Sequence, residues 1–128
     1  MGINLNERSI PYKIVDEISN LPRTVPLFYE DSYMSEFDSE ALKIFSYNGK
    51  IYVILKETCF FPEGGGQLGD AGLLQFPRGQ LKVVDTQAVG EVIVHVAVPI
   101  SGSYAEGERV HGTINWKIRY DRMKHHTG

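Results

Sequence analysis

Residues Thr58 to Gly72 read T-C-F-F-P-E-G-G-G-Q-L-G-D-A-G, and five of the chain's 13 glycines fall between Gly64 and Gly72. Three consecutive glycines carry an entropic cost on folding, so Gly64, Gly65 and Gly66 mark a place where a side chain would not fit. A backbone without Cβ atoms can approach a ligand closely and turn its N–H groups toward it. Gln67 is the one amide in the run; it can orient a polar ligand or bond the loop's own backbone. The same letters also describe a plain glycine-rich turn between strands. They do not make a phosphate loop, because no G-x-x-x-x-G-K-[ST] is present. Gly64, Gly66 and Gly69 satisfy G-x-G-x-x-G, but no helical pattern follows and no βαβ unit surrounds them.

Histidine is the only candidate metal-ligand type with enough copies, four in all. His125 and His126 are adjacent, so on a helix they point in different directions and do not share one ion. One of them can be half of an H-x-x-x-H pair. His95 sits in Val94-His95-Val96, where alternation predicts the polar, solvated face, and His111 reads the same way. Cys59 has no histidine near it in sequence to activate it, and Phe60 and Phe61 beside it suit a buried thiol. Lys117, Arg119, Arg122 and Lys124 oppose one acid, Asp121. This basic stretch fits either contact with RNA phosphate or a solvated helix face.

These residues need elements to position them. Ser9 is placed to cap a helix in which Ile10, Ile14 and Ile18 share one face, with Pro11 in its first turn. Leu21 to Pro26 holds two prolines and reads as an extended connector. Ala41 to Tyr47 and Ile51 to Leu55 flank Asn48-Gly49, the strongest short hairpin signal. Leu73 to Phe76 and Leu81 to Val84 flank the turn Pro77-Arg78-Gly79. Val92 to Val98 is opened by Gly90 and closed by Pro99, and Val110 to Trp116 enters through Gly107-Glu108. Strands at this spacing with polar turns indicate an antiparallel sandwich or barrel. Asn115 can then cap a terminal helix, which reads as cut after two or three turns.

Composition narrows the class. At 128 residues, one ordinary domain is expected, and a single cysteine excludes both a disulfide scaffold and a self-contained cysteine-rich zinc site. A net charge of −3 argues against a sequence-blind nucleic-acid binder. The start is polar and lacks a signal-peptide core, and no apolar run nears the ~20 residues of a membrane span. A cytoplasmic protein with no membrane partner is the default expectation.

The run Phe61 to Gly72 resembles the glycine-rich signature of the alanyl-tRNA synthetase editing region, which free-standing alanyl-tRNA editing proteins share. Val83-Val84-Asp85-Thr86, Ile93-Val94-His95, Gly107-Glu108-Arg109-Val110 and Ile114-Asn115-Trp116 leading to Arg119 continue the match. His125-His126-Thr127-Gly128 resembles the start of the family's H-T-x-T-H zinc motif. The likeness covers roughly Thr24 to Gly128. Pro22 to Asp31 is similar to the archaeal-type synthetase where its aminoacylation half passes into its editing half.

The resemblance implies a mainly all-β fold: a closed antiparallel β-barrel like the second domain of translation elongation factors, with short flanking helices. It implies a helix and connector over residues 1–26, the glycine-motif barrel over 27–116, and the start of a zinc-binding editing domain over 117–128. By the same likeness, His126 is the first zinc ligand, and the others fall beyond Gly128. Thr127 stands beside the editing site, and Gly64, Gly65, Gly66 and Gln67 approach it. The parent enzyme would charge tRNA-Ala with alanine using ATP and magnesium, and hydrolyse seryl- and glycyl-tRNA made in error. Its partners would be tRNA-Ala and the rest of the synthetase chain. One histidine does not hold a tetrahedral zinc ion, so this piece alone is expected neither to bind zinc tightly nor to deacylate. A truncated free-standing editing hydrolase and a non-catalytic RNA-binding barrel are the other readings. The upstream helix and connector favour the synthetase over the first, and the glycine signature with His126-Thr127 favours it over the second.

Overall fold

A computed structural model of the chain describes residues 10–29, 35–62 and 69–119. In chain order these form helix α1 (Tyr12–Ile18), β1 (Val25–Pro26), a 3-10 turn (Leu27–Tyr29), β2 (Glu36–Tyr47), β3 (Lys50–Leu55) and β4 (Glu57–Thr58). There follow β5 (Gly72–Phe76), β6 (Gly79–Val89), β7 (Val92–Gly102) and β8 (Arg109–Ile114). Residues 116–119 open a second helix, α2. Six strands close into a barrel in the order β2-β3-β7-β6-β5-β8, every pairing antiparallel, while β1 and β4 form a short parallel pair. The expected mainly-β closed barrel with short helices is therefore observed.

Period-two alternation fills the barrel. Phe37, Ala41, Ile51, Val53, Leu55, Leu74, Leu81, Val83, Ala97 and Val110 join Phe60 in one interior cluster. The opposite faces of β3 and β7 are also apolar, and α1 covers them: Ile14 and Ile18 pack on Tyr52, Ile54, Val92, Val94 and Val96. Burying these side chains under a helix offsets the cost of leaving them in water, on the order of 1.5–3 kcal/mol each.

Several local readings change. Helix α1 starts after Pro11, whose ψ of 142° is extended and which supplies no side-chain cap. Ser9 lies outside the described residues. Strand β2 begins at Glu36 rather than Ala41, because Glu36, Asp38 and Glu40 alternate with buried Phe37 and Ser39 and pair with β8. Strand β7 runs through Pro99 to Gly102. Its pairing with β3 ends at Ala97, so the missing N–H of Pro99 breaks no bond on that side. On the other side Gln80 faces Ser101 and Leu81 faces Pro99, leaving Ile100 as the extra residue of a bulge.

Two glycines have different causes. Asn48 (φ 52°) and Gly49 (φ 79°) make the left-handed pair that the β2–β3 hairpin requires. Gly72, the last of the sequence cluster, is needed for closeness instead: a Cβ there would stand 1.9 Å from the Thr113 carbonyl oxygen on β8. Chemical denaturation of the chain should therefore separate them. Gly49→Ala is expected to cost about 1 kcal/mol from backbone strain. Gly72→Ala, which pushes apart two barrel strands, is expected to cost about 3 kcal/mol, and equal losses would contradict the closure role.

Candidate functional site

The residues on either side of the glycine run are pinned together. The Asp70 N–H donates to the Phe61 carbonyl at 3.0 Å, and the Phe61 N–H donates back to Asp70 Oδ2 at 2.8 Å. Asp70 is then held by Arg119 from α2, whose Nε donates to Oδ1 at 2.8 Å while Nη2 donates to Oδ2. The same Nη2 also reaches the Cys59 carbonyl at 3.3 Å, and the guanidinium lies 4.4 Å from the centroid of the Trp116 ring. Asp70 and Arg119 are largely desolvated, with side chains 5% and 12% exposed. Such a fork on a carboxylate is a strong, directional contact.

A second carboxylate fixes the neighbouring residue. Asp85 Oδ1 accepts the Gly69 N–H at 2.6 Å and its own neighbour's Thr86 N–H at 2.8 Å, and Oδ2 accepts from Gln87 Nε2 at 2.8 Å. Thr86 Oγ1 donates to the Asp70 carbonyl at 2.9 Å. A bulge at Val84 makes this possible. Val83 faces Ala97 but Asp85 faces Val96, so Thr86 comes opposite His95. Bulges of this kind re-aim side chains beside functional loops.

The entry to the loop is braced from inside the barrel. His95 Nδ1 lies 2.9 Å from the Val53 carbonyl, which accepts only, so Nδ1 carries the proton. Nε2 then accepts from Thr58 Oγ1 at 2.8 Å, and Thr58 Oγ1 accepts the Phe60 N–H at 3.1 Å. Phe60 packs edge-on against the imidazole, with centroids 5.2 Å apart. Burial pushes the His95 pKa down to about 4, with the Val53 hydrogen bond opposing. The solvated face expected for His95 is thus wrong: Val94 and Val96 face α1, and His95 faces the barrel interior. His111 is partly exposed, with Nδ1 3.0 Å from Asp38 and Nε2 2.9 Å from Glu36. Those carboxylates raise its pKa. Cys59 is buried, as its neighbours suggested.

The terminal helix is capped as read. Asn115 Oδ1 accepts the Ile118 N–H at 3.1 Å, and the Asn115 N–H donates to the Ala71 carbonyl at 2.8 Å. Lys117 is exposed. Gly64, Gly65, Gly66, Gln67, Arg122, Lys124, His126 and Thr127 lie outside the described residues. Among the described residues no cluster of three or more His, Cys, Asp or Glu could hold a metal ion, and no helix is long and apolar enough to cross a membrane.

Residues 13–118 match the family described as tRNA synthetases class II (A). The chain belongs to that family. Its relatives include the alanine-tRNA ligase of Pyrobaculum neutrophilum, 49% identical over 88% of the chain. That of Sulfurisphaera tokodaii is 41% identical over 94%, and that of Pyrobaculum aerophilum 50% identical over 88%. The chain spans 12–13% of the length of these ligases.

In this class II (A) synthetase chain the glycine signature was legible, but the side chains that hold its loop were not. Asp70 lies inside the motif itself. Thr58 opens the same run, and Asp85 and His95 fall in segments that continue the resemblance, but their burial and bonding partners were not readable there.

The two described histidines should give opposite pH signatures in denaturant titrations. The folded pKa of His95 is depressed, so the unfolded chain takes up its proton first as pH falls below about 6.5. About 3 kcal/mol of stability is expected to drain away between pH 6.5 and 4, and His95→Gln should flatten that slope. His111 is raised, so its contribution is full below pH 6.5 and is lost as pH rises through its folded pKa. His111→Gln should therefore destabilise near pH 5.5 and be silent at high pH; the reverse pattern would overturn both assignments.

Proposed function

We propose that this chain is the barrel part of the editing half of an alanine-tRNA ligase. The loop between Phe61 and Asp70, with Gly64, Gly65, Gly66 and Gln67, forms one wall of the pocket where wrongly charged tRNA is hydrolysed. The carrying observation is the doubly bonded neck at Phe61 and Asp70. A glycine run is floppy by itself, and a wall that excludes water and aligns an ester needs a rigid frame. The ligase identity of the relatives favours this reading over a free-standing editor.

In this proposal the parent enzyme charges tRNA-Ala in the cytoplasm with ATP and magnesium, and its editing half hydrolyses seryl- and glycyl-tRNA. His126 is the first zinc ligand and Thr127 stands beside the pocket. Zinc bound there would activate water. His95 uses both ring nitrogens inside the barrel, and His111 is bonded to Asp38 and Glu36 on the barrel's surface. Lys117, with Arg122 and Lys124, is the cationic approach for tRNA phosphate. The rest of the synthetase chain completes the site, and the 128-residue piece alone is inactive.

Gly65→Val in the full-length ligase tests this directly. Seryl-tRNA deacylation is expected to fall about a hundredfold, the loss that a misplacement of about 1 Å brings, with alanine charging unchanged. Equal loss of both activities would assign the loop to folding. The isolated chain should hydrolyse seryl-tRNA no faster than buffer, and turnover above that rate would contradict the incomplete site.

A further inference from the structure

We infer that the Asp70–Arg119 pair is a positioning device for deacylation, tying the residues that close the glycine segment to the first turn of α2, which precedes His126 and Thr127 in sequence. This rests on the proposed role of that loop as a pocket wall. Arg119 was a candidate RNA contact, but its guanidinium is already engaged on three sides. Its Nε and Nη2 meet the two oxygens of Asp70, Nη2 also reaches the Cys59 carbonyl, and its face lies over Trp116. One planar group therefore touches the chain on both sides of the loop, at Cys59 before it and at Asp70 after it.

The helix is tied to the same place a second time, because the Asn115 N–H donates to the Ala71 carbonyl and the Arg119 N–H donates to the Asn115 carbonyl. The loop exit and the first turn of α2 therefore move as one body. Only arginine suits this. A lysine ammonium is a point donor and does not present two coplanar donors to a carboxylate while lying flat on an indole. A solvent-facing phosphate contact would not need a desolvated counter-ion, whereas Lys117 on the same turn is exposed and is the better phosphate contact.

The experiment uses the full-length ligase with Asp70→Asn, Arg119→Gln, Arg119→Lys and the Asp70→Asn/Arg119→Gln double variant. Seryl-tRNA deacylation is measured as kcat and KM at low and high salt, beside alanine charging. Each single neutral variant is expected to lower deacylation kcat about ten- to a hundredfold. KM should change less than about twofold and charging should be intact. The double variant should be no worse than the worse single, since both break one unit. Arg119→Lys should fall between Arg119→Gln and wild type. A salt-dependent rise in KM for Arg119→Gln with Asp70→Asn silent would overturn the inference in favour of a phosphate contact. Parallel loss of charging in every variant, Arg119→Lys included, would overturn it in favour of general folding, and wild-type deacylation throughout would overturn it outright. Gly65→Val run alongside separates the two levels. If it too leaves deacylation intact, the wall reading itself falls. If it impairs deacylation while the pair variants do not, only the positioning role falls.

Discussion

Every strand of a closed barrel must pair on both sides, and β5 does so between β6 and β8. The contact with β8 is close enough that Gly72 has no room for a Cβ beneath the Thr113 carbonyl. Strand β5 is also the strand by which the chain leaves the glycine loop. The position of the loop's exit is therefore set by the requirement that the barrel close, and the side-chain bonds at Asp70 and Gly69 refine a placement that backbone pairing has already made. The same pairing sets Gly72 opposite Ile114, so the helix that follows β8 starts beside Ala71.

Around this neck the polar groups answer to one another. Asp70, Asp85, Thr58, Thr86 and His95 are all buried, and among the described residues no buried side-chain nitrogen or oxygen lacks a hydrogen-bond partner. The two carboxylates spend their oxygens on donors of the chain itself. A neutral imidazole with both nitrogens engaged is in the same position. These described residues hold one another in place, their polar groups engaged within the fold.

Much of this was readable from the residues, and the exceptions have physical reasons. The hairpin at Asn48-Gly49, the cap at Asn115, the buried thiol of Cys59 and most strand cores follow from local rules, because turns, caps and alternation need only neighbours in sequence. His95 misled because alternation says which residues share a face, not which face is wet. With α1 over the valines, both faces of β7 are dry from Val92 to Ala97, and the polar residue belongs to the inner one. The first half of β2 was hidden by its outward acids Glu36, Asp38 and Glu40. Arg119 read as one of a run of surface cations because its partner lies 49 positions away. Pairings of that separation are set by topology, and a single sequence carries no local trace of them.

The far end of β7 has one more consequence. Beyond Ala97 the strand overhangs its partner β3 and, among the described residues, is paired with β6 alone. An overhang of this kind is an open edge, and an open edge is a template for any extended chain that meets it, another copy of the same protein included. Pro99 offers no N–H there, and the extra residue at Ile100 bends the strand off a straight register. The proline that looked like the end of a strand thus leaves that edge short of a donor, a feature that disfavours pairing with another strand.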